Sequence, residues 1–446
     1  MEFKNSIEWY LSSFKTFEKK LNGESKSFLH DIRKTALREL EGMNFPTQHN
    51  EEWKYTDVSP ITNQNFLPAV NSVLPRFTKS DIQKYLFRNL DYHLLVFING
   101  IFSKELSELK ELPSGVFIGN LNNLAKENPQ LPHQHLGKLS KIENTFDALN
   151  TAFAIDGFAA IIPANTIIEK PIQILYLNSS EDVPILSIPR NLIMVGQNSQ
   201  LSLIANYRGN GSGKYFSNIV TEIFVGENAI LDLYKIQNEK DDAYHIEKVQ
   251  AIQKKKSVFN HYNINCGGSI VRNDINSLLD DENIETHFYG LYLAHGKQHV
   301  DNHTFADHAK PNCMSNELYK GILDDNSHGV FNGKIMVRKD AQKTNAYQSN
   351  KTVLLSKSAK IDTKPQLEIF ADDVKCSHGA TVGKLDEDAE FYIRSRGVPK
   401  ELAKSMLIRA FANDIIEKVK IDSLKEQLNH MIFEHLSRVE IDNQKV

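Results

Sequence analysis

Val195-Gly196-Gln197-Asn198-Ser199-Gln200-Leu201-Ser202-Leu203 comes back as Val225-Gly226-Glu227-Asn228-Ala229-Ile230-Leu231-Asp232-Leu233, an offset of 30 residues. Each copy leaves a strand-like run, turns through Gly and Asn, and enters a new apolar alternation. A turn recurring in matching context after a few tens of residues predicts stacked coils, each burying its inner face only against its neighbours. A second echo, Leu279-Asp280-Asp281 and Leu323-Asp324-Asp325, is offset by 44. From about Leu94 to Ile369, short runs of β-branched and aromatic residues alternate with Gly, Asn and Asp turns, with little sustained helical periodicity. The centre of the chain is therefore expected to be mainly β, a β-helix or related solenoid rather than a sandwich.

The flanks change period. From Ser6 to about Met43, apolar residues such as Phe28, Ile32, Ala36 and Leu40 recur at helical spacing, and Gly42 marks a helix stop. A polar-aromatic segment, Asn50-Glu51-Glu52-Trp53-Lys54-Tyr55-Thr56, and a Pro-containing stretch to about Leu86 follow. Beyond Gly383, Asp386 is suited to cap a helix with Glu387 and Asp388 in its first turn, Gly397 to end it, and Pro399 to start the next. In that next helix Leu407, Phe411, Ile415 and Val419 form an i+4 ladder supported by Ala403 and Ala410, and a further amphipathic helix runs roughly from Leu424 to Leu436. These features divide the chain into a helical region (1–90), a β core (91–375) and a second helical region (376–446). Periodicity leaves two roles open for the last region: a cap over the solenoid end that blocks strand pairing, or a docking surface for another subunit.

The 446 residues suffice for two or three packed regions, and 41% hydrophobic with 24% charged residues is ordinary for a soluble protein. Lys+Arg 52 against Asp+Glu 56, a net charge of -4, supplies no basic field for nucleic acid or an anionic membrane. Three widely spaced cysteines, Cys266, Cys313 and Cys376, argue against a disulfide framework and for a reducing, cytoplasmic setting. Met1-Glu2-Phe3-Lys4-Asn5 does not open a signal peptide, and the most apolar stretch, Phe158 to Ile168, is about half a membrane span and contains Pro163.

One pair of residues can make part of a metal or sulfur site, the alternative being a buried Cys beside a His-Gly turn. Cys376 stands two before His378, so on a strand both point to one face while Lys375 points to the other. Two donors make only part of a site, because a structural zinc needs four ligands and a cuboidal iron–sulfur cluster usually four thiolates. The remainder would come from a partner. Gly209-Asn210-Gly211-Ser212-Gly213-Lys214 looks like a phosphate loop, but Arg208 stands where its first Gly belongs and Tyr215 where Ser or Thr belongs. His295, His299, Asp301, His303 and His308 form a cluster in which His299, Asp301 and His303 share a strand face; it reads as a hydrogen-bonded polar row rather than a metal site. Lys254-Lys255-Lys256 reads as a solvated basic turn, and Cys266 and Cys313 as small core residues.

Phe370-Ala371-Asp372-Asp373-Val374-Lys375-Cys376-Ser377-His378-Gly379-Ala380-Thr381, followed by Leu385-Asp386-Glu387 and Phe391-Tyr392-Ile393-Arg394-Ser395-Arg396-Gly397, resembles the C-terminal signature of the SufB/SufD family of iron–sulfur cluster assembly proteins. Glu52-Trp53-Lys54-Tyr55-Thr56 and Gln298-His299-Val300-Asp301-Asn302-His303-Thr304 match as well, so the resemblance spans all three regions. The His378-Gly379-Ala380-Thr381 run and the Arg394-Ser395-Arg396-Gly397 turn are similar to the SufD branch, whereas SufB tends to carry His-Glu-Ala-Thr.

The resemblance implies a right-handed parallel β-helix between helical regions, acting as a non-catalytic scaffold in the SUF system. It implies pairing with SufB, binding of the SufC ATPase, and indirect supply of sulfur by a cysteine desulfurase and a sulfur carrier. It places His378 at the SufB interface, where with a SufB cysteine it would help hold the nascent cluster, with Cys376 close by. It makes the helix from Pro399 to Val419 the SufC-docking element, with Ala403, Leu407, Arg409, Phe411 and Ile415 as contact residues. The isolated chain is then expected to hold no cluster stably, the cluster being transient in the complex, and is able to form a homodimer through the same surface. A β-helix carbohydrate-active enzyme, a lyase or hydrolase, is the alternative; it needs paired carboxylates, for which Asp280, Asp281, Asp324 and Asp325 are candidates in turn-like contexts. A β-solenoid acyltransferase would need a hexapeptide repeat that the sequence lacks.

Overall fold

The offset of 30 closes one coil. In the computed structural model, which describes residues 6–21 and 28–443, Val195 pairs with Val225, Leu201 with Leu231 and Leu203 with Leu233, all in parallel register. Successive strands alternate between two sheets, and each pairs with the strand two ahead. The first sheet runs through Arg190–Val195, Tyr215–Val225, Tyr244–Gln253, Ile270–Leu279, His299–His308, His328–Val337 and Lys360–Ile369. The second runs through Ile172–Ser179, Gln200–Asn210, Ile230–Asn238, Val258–Cys266, Glu285–Ala294, Met314–Leu323, Asn345–Leu354 and Lys375–Gly383. The chain is a β-solenoid with helical regions on either side, as its patterning predicted. Among the described residues no helix is long and apolar enough to cross a membrane.

Tight turns set the register. Where the first sheet passes into the second, six successive coils have one residue of positive φ each: Asn198, Asn228, Lys256, Asn283, Asn312 and Lys343, all between 55° and 60°. Asn tolerates this left-handed conformation better than most side chains. The asparagines also stack, Asn228 Nδ2 donating to Asn198 Oδ1 (3.0 Å) and Asn198 Nδ2 to Asn165 Oδ1 (2.8 Å). The offset of 44 is not a coil. Leu279 ends a strand of the first sheet and Leu323 one of the second, so the two Asp pairs lie at opposite edges, about 30 Å apart for strands of this length. They cannot act as paired carboxylates. The phosphate-loop look-alike is another turn, where a Cβ on Gly211 would sit 2.3 Å from the Ser180 carbonyl oxygen of the preceding coil.

Inside, the coils stack Leu201, Leu231, Ile219, Val249, Ile275 and Phe259 into one apolar core. Midway the interior turns polar. Buried Lys235 lies between Ala205 and Asn263 in the ladder, its ammonium 2.6 Å from Glu247 Oε2, and Tyr207 donates to the other Glu247 oxygen (3.1 Å). Such a pair is costly to break, because either partner alone is an uncompensated buried charge.

The outer faces are covered by helices. Ser6–Lys20, Phe28–Glu41 and Thr145–Phe153 bring Tyr10, Phe14, Phe17, Leu40, Phe146 and Phe153 against Phe216, Tyr244 and Ile246 of the first sheet. Gly42 follows the second helix as expected; Met1–Asn5 and the side chain of Phe28 lie outside the described residues. On the second sheet, Lys400–Ile416 and Asp422–Asn443 pack Ile408, Ala412, Ile415, Ile416 and Leu428 onto a stack of Tyr234, Tyr262 and Tyr289. Asp386 caps Glu387–Arg394 by accepting the N–H groups of Asp388 and Ala389, and Gly397 takes φ 86°. Two expectations change. The C-terminal helices lie along the flank of the solenoid instead of over its end, because the aromatic stack is there to be covered. The last strand also runs past the expected boundary at 375, to Gly383, so Cys376 and His378 belong to the final coil.

The His cluster is a strap. His299, Asp301 and His303 do share an outward face, and Glu52-Trp53-Lys54-Tyr55-Thr56 lies across it. Thr56 Oγ1 donates to Asp301 Oδ2 (2.6 Å) and lies 2.8 Å from His299 Nε2. Arg272 donates to the same carboxylate oxygen and to the Glu52 carbonyl (2.7 Å each), with its guanidinium 3.8 Å from the Trp53 ring centre. His303 stands 3.0 Å from Asp301 Oδ1 and 3.4 Å from Glu52. His308 instead points inward to Ser315 (2.9 Å), and His295 sits in a turn beside His435. Burial opposes charge on Asp301, yet His303 and Arg272 hold its carboxyl well below the usual range. Burial and Arg272 push His303 down, but Asp301 and Glu52 outweigh them and leave it raised.

Two outcomes follow from this packing. Asn228→Ala should cost about 1–2 kcal/mol of stability in urea unfolding and Asn228→Gly less, since only the former strains the backbone. For the strap, a raised histidine stabilises fully below its unfolded pKa of about 6.5 and loses that contribution as pH rises through the folded value. The stability gap between the unmodified chain and His303→Gln should therefore be largest near pH 6 and shrink toward pH 9; a gap that widens with pH would contradict the assignment.

Candidate functional site

The two ends of the solenoid differ. At its start, Ile101–Phe102 pairs antiparallel with His93–Ile98 and Phe117–Asn120 antiparallel with Phe158–Ile162, so each sheet begins on a short antiparallel edge strand. At its finish the stack simply stops. Among the described residues Lys375–Gly383 is hydrogen-bonded along one edge only, to Asn345–Leu354, and leaves its other backbone edge free. The corresponding strand of the first sheet, Lys360–Ile369, contains Pro365, which offers no N–H. Large apolar side chains surround this end in the open: Tyr347, Ile369, Phe370 and Val382.

Cys376 and His378 sit on that last strand, in register with Ala346 and Gln348. Both partners are buried, so this is the inward face of the coil; His378 is exposed only because no further coil covers it. Cys376 is half-buried against Ala346, Ala371 and Val374. Burial pushes its thiol up, so a metal ion or a cationic neighbour would be needed to draw out the thiolate that binds iron. The structure thus places the Cys-x-His pair together, on one face, at the unfinished end. Cys266 and Cys313 are buried, with thiols pushed up to about 12 and about 11 by burial, and belong to the packing. No three His, Cys, Asp or Glu side chains among the described residues are arranged to hold a metal ion.

The proposed docking helix divides differently from its sequence ladder. Ala403 and Ile415 are fully buried within the chain's own core, so they are corrected from contact residues to packing residues. Phe411 is half-buried, its ring 4.3 Å from the Lys320 ammonium, and Leu407 is half-buried too. Arg409 points outward, 6.0 Å from the Phe433 ring. The outward apolar residues are Leu402 and Met406, 49% and 47% exposed, with Phe391 and Tyr392 of the preceding helix more exposed still. The buried stripe through Ile408, Ala412 and Ile416 is one residue out of phase with the ladder read from the sequence, which turns Leu407 and Phe411 to its margin.

A column of inward residues beneath His378 was not legible in the sequence. Leu203, Leu233, His261, Phe288, Glu317, Gln348 and His378 stand in register, one per coil. The six from Leu203 to Gln348 each lie five positions after their coil's left-handed turn residue, as from Asn312 to Glu317 and Lys343 to Gln348, and counting from those turns is the signal that would have found them; the turn before His378 has no left-handed residue. Glu317 is buried and pushed up to about 7 by that burial, though Thr304 Oγ1 (2.6 Å) and Gln348 Nε2 (3.0 Å) both donate to its Oε2.

Comparison with known proteins agrees with this architecture. Residues 176–411 match the model of the SUF system FeS cluster assembly SufBD core domain, and residues 4–174 that of the SufBD protein N-terminal region. The chain is 34% identical over 420 residues to an iron–sulfur cluster assembly SufBD family protein of Synechocystis, covering 92% of each. It is 27% identical to the iron–sulfur cluster assembly protein SufD of Escherichia coli, covering 95% of each, and 26% identical to that of Bacillus subtilis, covering 95% of this chain and 96% of the relative. The chain belongs to the SufBD family of iron–sulfur cluster assembly proteins.

Proposed function

We propose that this chain is a SufD-like scaffold subunit whose unfinished solenoid end is completed by a related subunit, SufB, and that the nascent iron–sulfur cluster is built across that junction as the complex's cargo. The observation that carries the reading is the free strand edge of Lys375–Gly383 bearing Cys376 and His378 on its inward face. An exposed strand edge flanked by apolar side chains favours pairing with another strand. His378 and Cys376 offer two donors, half of a four-coordinate site, and the junction is where a second chain would bring the rest. The same edge is open to a second copy of this chain when SufB is absent, giving a homodimer.

The other partner is the SufC ATPase, bound by the outward face of the C-terminal helices. Leu402, Met406 and Arg409 are the contact residues favoured by their exposure. Sulfur reaches the complex from a cysteine desulfurase and a sulfur carrier, and the subunit itself performs no turnover. The carbohydrate-active alternative has no support in the geometry, since its carboxylate pairs lie at opposite edges.

Co-expression with SufB and SufC, followed by pull-down and anaerobic iron and sulfide analysis, tests the reading. A ternary complex that gains iron and sulfide is expected, with His378→Ala leaving assembly intact and cutting cluster formation about tenfold or more; wild-type rates in that variant would remove His378 from the site. Met406→Asp should abolish co-purification of SufC without loss of folding, because the side chain faces solvent; retained SufC would place the dock elsewhere.

A further inference from the structure

The stack below His378 ends in an amide whose orientation is dictated from beneath. Gln348 reaches down the column to Glu317 in the coil below, donating from Nε2 to Oε2 (3.0 Å), while Thr304 on the facing sheet donates to the same oxygen (2.6 Å). A Cβ on Gly333, also on the facing sheet, would sit 2.2 Å from Gln348 Nε2, so the glycine leaves the amide its place. Glu317 Oε2 accepts from both Thr304 and Gln348, as it can whether the carboxyl is ionised or carries its proton on the unpartnered Oε1, so Gln348 turns its NH2 group down toward it. Its carbonyl oxygen Oε1 is consequently directed away from Glu317, and it is buried without a hydrogen-bond partner. A buried acceptor left unmade is costly, so a donor able to reach it is favoured. The residue one coil above, in register and about 4.8 Å away along the ladder, is His378.

We propose that Gln348 is the positioning residue for His378: its carbonyl oxygen, unpartnered in this structure, accepts one imidazole N–H when the His378 ring turns down onto it, fixing the tautomer and directing the other ring nitrogen toward the partner subunit and the nascent cluster. Imidazole ligands ordinarily donate their second N–H to a carbonyl or carboxylate, which orients the ring and raises the basicity of the binding nitrogen. Thr304, Glu317 and Gly333 then act one step further back, by holding the amide the right way round. This inference rests on the reading of His378 as a cluster ligand, but the hydrogen bond itself is measurable without any cluster.

The full isolated chain, labelled with 15N-histidine and free of metal, reports the tautomer of His378 through its two ring nitrogen shifts at a pH where the imidazole is neutral; His378→Gln identifies the signals. The expected result is a single fixed tautomer in the unmodified chain, replaced in Gln348→Leu by the averaged shifts of free imidazole. Averaged shifts in the unmodified chain, or the same fixed tautomer in Gln348→Leu, would overturn the proposal. Should Gln348→Leu fail to fold, Glu317→Leu retains the amide but removes what orients it, and an unaltered fixed tautomer there would count equally against the account. In the assembled complex Gln348→Leu should slow cluster formation about tenfold. If His378→Ala proves neutral for cluster formation, the ligand reading fails while the nitrogen shifts still decide the hydrogen bond.

Discussion

Parallel, in-register stacking of coils governs the rest of this molecule. Each strand takes its hydrogen bonds from the coil below and the coil above, so a coil has no stable existence alone and each end of the stack has a backbone edge to satisfy. The protein solves the two ends differently. Short antiparallel strands at Ile101–Phe102 and Phe117–Asn120 form the edges at the start, whereas the 9-residue parallel strand Lys375–Gly383 presents a long edge at the finish. A stack that closed itself at both ends would have no place for an inward-facing residue to be exposed.

That last point connects fold to chemistry. Within the solenoid, the inward column is a place for burial: Leu203, Leu233 and Phe288 pack there, and Glu317 is driven toward its neutral form. The next position that the same geometry generates, beyond Gln348, falls outside the last covering coil. His378 is therefore held by a regular strand yet left available, and rigidity of position is what a ligand needs. Cys376 is less available, since the alanines around it half-cover its thiol.

The helical regions act on the faces of the solenoid, not on its ends. Aromatic residues on the outer surface of each sheet supply the area to be buried: Phe216 and Tyr244 for the N-terminal helices, Tyr234, Tyr262 and Tyr289 for the C-terminal ones. Once the helix Lys400–Ile416 is seated by Ile408, Ala412 and Ile416, its opposite side, with Leu402 and Met406, is directed outward. The strap from Glu52 to Thr56 works similarly with polar groups, as Arg272 and Asp301 are too deeply covered to remain unpaired.

Much of this was written in local sequence, because it depends on near neighbours. The Gly/Asn turns at Asn198 and Asn228, the helix cap at Asp386, the stop at Gly397, the Cys-x-His pair and the family signature each involve a few consecutive residues whose conformational preferences act at short range. What local sequence left open depends on residues far along the chain. The 44-residue echo joined two opposite edges, since an Asp-Asp turn looks alike wherever a strand ends. Ala403 and Ile415 appeared available because a ladder of apolar residues does not say which of its sides meets the sheet. Gln348 was silent because its meaning comes from Glu317 below, Gly333 opposite and His378 above. The repeat, the element types and the chemistry on offer are encoded in short stretches of chain. Which residues share a column, a face or an open end emerges on folding, because those relations are set by register between strands some thirty residues apart.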